Sequence, residues 1–126
     1  MIKLSFCLHR LPNLTHAEFS DYWLNKHGPL VRSHKGILRI QRYVQTHGID
    51  DDALNGPLSQ SRGGAEAYDG VAELWWKSKE DLMEVVADGA GQVALQILLE
   101  DEAKFIDLPR SPLWMSQEHE IISLDD

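Results

Sequence analysis

The apolar residues of this chain switch repeatedly between a period of two and a helical period. The order of those switches limits the fold more than any other feature. From Ile2 to Leu8 the period is two: Ile2, Leu4, Phe6 and Leu8 fall on one side, Lys3, Ser5, Cys7 and His9 on the other. This is the pattern of a half-buried strand over residues 2–10. Pro12 and Asn13 end it, and Thr15-His16-Ala17-Glu18 reads as a capping box that opens a helix. Phe19, Tyr22, Trp23 and Lys26 follow at helical spacing. Gly28-Pro29 should kink or end that helix near His27, because Pro29 has no amide to give the carbonyl of Asn25.

A second strand is expected from about Leu38 to Thr46, with Leu38, Ile40, Val44 and Thr46 in one row. Arg39, Gln41, Tyr43, Gln45 and His47 form the other. Residues 48–67 carry four glycines, a proline and the triplet Asp50-Asp51-Asp52, and read as the longest loop. A third strand covers Tyr68–Lys77. Ser78 with Glu80 and Asp81 starts a short helix through about Ala87, and Gly89 to Gly91 breaks it. A last helix spans about Gln92–Ile106, and a final strand about Leu113–Ile122. The order is β-α-β-β-α-β, which predicts an α+β, ferredoxin-like fold with a four-stranded antiparallel sheet.

The chain's 126 residues fit one domain, 1–126. A net charge of −8 argues against a phosphate-backbone partner, so nucleic acid is not expected. The single Cys7 excludes an intrachain disulfide and a four-cysteine zinc site. No apolar run reaches the roughly 18 residues that span a bilayer, and the strand-like start lacks the apolar core of a secretory signal. A cytoplasmic protein without a membrane partner is the expectation.

With both helices on one sheet face, the rows Ile2/Leu4/Phe6/Leu8, Leu38/Ile40/Val44 and Ala72/Leu74/Trp76 should face them. The opposite face would then carry Cys7, His9, Tyr43, His47, Val71 and Trp75 among charged residues. So aromatic a face is expected to be covered by a second copy of the chain, giving a homodimer with a pocket between helix and sheet in each copy.

Several of these segments are similar to a known family. Tyr22-Trp23 followed by His27-Gly28-Pro29-Leu30 resembles the first-helix signature of EthD-domain proteins. Tyr43-Val44-Gln45-Thr46-His47, Tyr68-Asp69-Gly70-Val71-Ala72-Glu73-Leu74-Trp75 and the segments Phe105–Asp107, Arg110–Pro112 and Glu118-His119 resemble its later motifs, in order. The resemblance implies a dimeric α+β barrel. It does not fix a reaction, because the family includes proteins described as dehydratases or decarboxylases, and related barrels include cyclases, isomerases and monooxygenases.

Histidine and tryptophan are the residues from which chemistry would come. His27 would act as a general acid or base at the mouth of a helix–sheet pocket, since imidazole titrates near neutral pH. His47 would be its partner. Asp69 and Glu73, about 13 Å apart along a strand, are too distant to share a proton, but either would orient a histidine. Trp23, Tyr43, Trp75 and His9 would line an apolar slot for a small hydrophobic or aromatic metabolite. No pair has metal-ligand spacing and no glycine-rich phosphate loop follows a strand, so neither a metal nor a cofactor is expected. The leading reading is a cofactor-free lyase or isomerase, best a dehydratase of a small cyclic substrate. The alternatives are a non-catalytic metabolite-binding protein and a cofactor-independent monooxygenase.

Overall fold

A computed structural model describes residues 1–126. Four strands, β1 (Ile2–Leu8), β2 (Arg42–His47), β3 (Gly70–Trp76) and β4 (Leu113–Ser116), form one sheet in the order β2-β3-β1-β4. Every pairing is antiparallel. The architecture is α+β and matches the expected order of elements.

The first helical segment runs as α1 (His16–Tyr22), a π-turn (Trp23–His27) and α2 (Gly28–Ser33). Thr15 caps it with the expected reciprocal bonds to Glu18. The helix does not end at His27. The amide of Gly28 reaches back to the Trp23 carbonyl, five residues earlier. The wide turn changes the bonding pattern where Pro29 has no amide to offer, so the chain stays helical through the proline. A short α3 (Lys35–Leu38) follows, and Arg39 then adopts a left-handed conformation at φ 55°.

That turn corrects the expected rows of β2. The strand begins at Arg42, not Leu38, and its alternation starts afresh after the turn. Tyr43 pairs with Leu74 and Gln45 with Ala72, while Leu74 and Ala72 pair with Leu4 and Phe6. Directly paired residues share a face. Tyr43, Gln45 and His47 therefore lie on the helix side, and Val44 lies on the outer side with Glu73.

Residues 48–67 are not all loop: α4 (Asp52–Gln60) forms there, capped by Asp51. None of its residues is buried. The short helix α5 (Lys79–Ala87) ends where expected, and α6 (Gly89–Glu102) begins on the glycines that follow it and not at Gln92. Asp88 caps it through the amide of Gly91. A Cβ on Gly91 would stand 2.1 Å from the Val85 carbonyl oxygen, so glycine permits the sharp turn between the two helices. A 3₁₀ turn (Leu108–Arg110) leads into β4, which stops at Ser116 and not at Ile122.

The helices and one sheet face enclose two apolar groups. Phe19, Trp23 and Phe105 pack on Phe6, Leu8 and Ala72; Val31, Leu38, Val85 and Leu98 pack near Trp76. Truncating a fully buried aromatic such as Phe105 to alanine would cost about 3–5 kcal/mol. No single helix is long and apolar enough to cross a membrane.

Candidate active site

A cavity of about 240 Å³ opens between the sheet and the helices, where the two apolar groups meet. Sixteen of its 18 lining residues are hydrophobic. The polar groups at its wall are His27, Glu102 and the phenol of Tyr43. Its size lies just under the roughly 300–1,000 Å³ of drug-sized pockets, which suits a ligand of one or two rings.

His27 is the last residue of the π-turn and only 5% exposed. Its Nδ1 lies 2.8 Å from Oδ2 of Asp101 on α6. The Tyr22 hydroxyl donates to the other oxygen of Asp101 at 2.7 Å. Burial alone would raise the Asp101 carboxyl, but the bonds from Tyr22 and His27, with Lys104 beside them, hold it below the usual range. The carboxylate is therefore ionised at neutral pH and must accept, so Nδ1 of His27 carries the proton it shares. Burial pushes the imidazole down, and Asp101 only partly offsets this. A neutral imidazole with its proton on Nδ1 keeps the Nε2 lone pair free. Nε2 has no partner within the protein, and no fully buried side-chain nitrogen or oxygen lacks one. Nε2 is therefore open to the cavity that His27 lines. Tyr22, half-buried and bonded to Asp101, is pushed up to about 12 and stays a donor.

Of the other residues expected at the site, Trp23 and Tyr43 line the same cavity. Gln45 ties them together, its Nε2 donating to the Trp23 carbonyl and bonding the Tyr43 oxygen, each at 2.8 Å. His47 stands behind Trp23, with ring centroids 4.2 Å apart. Its nitrogens bond Ser20 Oγ at 2.9 Å and Gln45 Oε1 at 2.7 Å, and it is not part of the cavity wall. His27 and His47 thus do not face each other across one space.

Asp69 sits elsewhere, against the backbone amide and guanidinium of Arg10 and the ring of His16. Glu73 lies on the outer sheet face in a 2.6 Å ion pair with Lys3. Trp75 shares that face, between Lys3 and Arg42, with its indole bonded to Glu118. The ring of His9 packs on Tyr68. No cluster of three or more His, Cys, Asp or Glu side chains is arranged to hold a metal ion.

Asp101 and Glu102 were missed by the sequence reading. The signal was present in Glu100-Asp101-Glu102. Three acids in the last turn of a helix oppose the helix dipole, which favours cations there.

A family model described as the EthD domain matches residues 11–109. The chain belongs to the EthD-domain family. No curated protein matches its sequence. Among solved structures, an EthD-family protein from Bacillus halodurans is 18% identical, with a TM-score of 0.59, covering 94% of this chain and 100% of its own. An EthD-like protein from Ralstonia eutropha is 19% identical, with a TM-score of 0.59 and coverage of 92% and 89%. A dimeric protein of unknown function and ferredoxin-like fold from Bacteroides fragilis is 7% identical, with a TM-score of 0.57 and coverage of 93% and 95%. At these identities the likeness carries the fold of this EthD-domain chain and nothing of its chemistry.

Proposed function

We propose that this EthD-domain protein is a cofactor-free dehydratase of a small cyclic hydroxyketone, with His27 as its general base. One observation carries the reading: Asp101 fixes Nδ1 of His27 while Nε2 opens on an apolar cavity. Nε2 would take a proton from the carbon next to the substrate carbonyl. The electron pair of that bond forms the new C=C bond, and the hydroxyl on the next carbon leaves as water once protonated. Apolar walls favour the step by keeping a neutral base unprotonated and by excluding competing water. Trp23 and Tyr43 bound the slot, and His47 and Gln45 brace them. Asp69 and Glu73 act through structure and not through a histidine of the cavity.

The functional unit in this proposal is a homodimer. Lys3, Arg42, Glu73 and Trp75 make the outer sheet face charged and aromatic, with Trp114 half exposed beside them. A second copy is the partner that would cover it.

The test uses 3-hydroxy-1-tetralone, whose dehydration gives 1-naphthol after tautomerisation. The expected result is enzyme-dependent 1-naphthol under air and under nitrogen alike, abolished in His27→Ala. Saturable binding of a panel of one- and two-ring hydroxyketones without turnover would instead make this a binding protein. Product formed only with oxygen, and carrying an added oxygen atom, would make it a monooxygenase.

A further inference from the structure

We propose that Glu102 is the second reacting group of the cavity: a neutral carboxylic acid that hydrogen-bonds a ligand oxygen and protonates the leaving hydroxyl. The proton-transfer step rests on the dehydration reading above; the hydrogen bond to a ligand oxygen does not.

Glu102 is the last residue of α6 and lines the cavity with His27. Every other residue of the wall except His27 is hydrophobic, Tyr43 among them with its phenol. Within the protein the Glu102 carboxyl is influenced by burial and by the charge of Asp101, with no hydrogen bond to satisfy it. Its oxygens are not sealed off, because no buried side-chain oxygen lacks a partner. They therefore open on the same space as Nε2 of His27. A carboxyl with unmet bonding capacity in an apolar cavity is a site for a ligand hydroxyl or carbonyl.

The charged and titratable groups bordering Glu102 all disfavour its ionised form or leave it unpaired. Asp101 is adjacent on the helix and ionised. Lys104 lies 3.5 Å from Asp101 and is spent on it. His27 is neutral and turned to Asp101. The Tyr43 phenol, pushed up first by burial and also by Glu102, is itself neutral. The helix C-terminus adds a negative end to the same place. Burial and Asp101 together push Glu102 up to about 7, so a substantial fraction carries its proton at working pH.

The two groups then divide the reaction. His27 Nε2 receives the carbon-bound proton, and Glu102 gives its own to the departing oxygen. Water leaves, and the imidazolium returns a proton through solvent to the Glu102 carboxylate. Nothing is oxidised or reduced.

The experiment has two readouts on the intact chain. In the first, carboxyl carbons of glutamate are labelled with carbon-13, and the Glu102 signal is assigned by its loss in Glu102→Gln. The expected titration midpoint is near 7, with a change of the signal on adding 1-naphthol, the product itself. A midpoint in the ordinary range near 4.5, or no response to bound 1-naphthol, overturns the proposal whatever the turnover. In the second, 3-hydroxy-1-tetralone turnover is followed against pH. Wild type should lose activity as pH rises through 7; Glu102→Gln should lack that limb, with kcat lower by about a hundredfold or more. An unchanged kcat overturns the proton-transfer role. Absence of any wild-type turnover overturns the dehydration reading, and the first readout then decides the ligand contact by itself.

Discussion

Nδ1 of His27 meets Oδ2 of Asp101 at 2.8 Å across 74 positions of sequence, and this contact joins the first long helix to the last. It gives the site both its orientation and its charge state. Asp101→Asn would leave one oxygen for two donors, Tyr22 and His27. The expected loss is about 1–3 kcal/mol of stability by denaturant unfolding. His27 should also titrate lower still, because the carboxylate that favours its charged form is gone. A histidine NMR titration that finds no downward movement would contradict the assignment.

Asp69 predicts the opposite separation of effects. Burial would raise its carboxyl, but the Arg10 amide, His16 and the Arg10 guanidinium outweigh that and hold it low. A depressed folded pKa contributes stability that is present above the ordinary aspartate range and lost as pH falls through the folded value. Asp69→Asn should therefore lower the melting temperature at pH 7, with a difference that shrinks in acid. Turnover at permissive temperature should stay within a few-fold of wild type.

Glu102 and its glutamine variant give a stability profile of the other sign. A carboxyl raised in the folded state costs nothing below the ordinary glutamate range, and the cost grows as pH rises towards about 7. Glu102→Gln should thus be more stable than wild type at pH 8, and the gain should vanish near pH 4. Thermal melts across that range check it. A gain independent of pH would mean that Glu102 titrates normally.

Gly70 is the backbone floor beneath Trp23. A Cβ there would stand 2.4 Å from Cζ3 of Trp23 and 2.8 Å from the Thr46 carbonyl oxygen. Gly70→Ala must displace the indole that forms one wall of the cavity. The expected cost is about 1–3 kcal/mol, with weaker 1-naphthol binding in a fluorescence titration.

The proposed homodimer predicts twice the monomer mass by analytical ultracentrifugation. Trp114 lies on the outer sheet face opposite Ser5 and is 50% exposed. Trp114→Glu would place an unpaired charge between the two sheets and should give monomers that remain folded.

The sequence showed most clearly what depends on short-range pattern. The alternation of β1 and the Thr15–Glu18 cap appear as read. The phase of β2 was hidden because one left-handed residue, Arg39, resets the alternation, and nothing in its side chain announces that. Helix α4 was hidden because Leu54 and Leu58 stay exposed and it carries Gly56 and Pro57 within it. The glycines at 89–91 mark the break between two helices as read, but the long helix starts on them, and only Gly91 is required by the close approach of Val85. His27, Trp23 and Tyr43 could be picked out by residue type and local motif. Asp101 and Glu102 could not, because their role depends on a partner brought from the far end of the chain.

The π-turn from Trp23 to His27 makes the position of the imidazole a matter of chain length as well as residue identity. Each residue advances a regular helix by about 100°, so a wide turn holds one residue more than the surrounding helix can use. Removing Leu24 or Asn25 from this stretch would let ordinary helical winding take over, with Trp23, His27 and every other reactive side chain kept. The histidine would then swing about a quarter-turn around the helix axis, away from Asp101. Such a shortened chain would keep its full set of reactive groups and present them out of alignment.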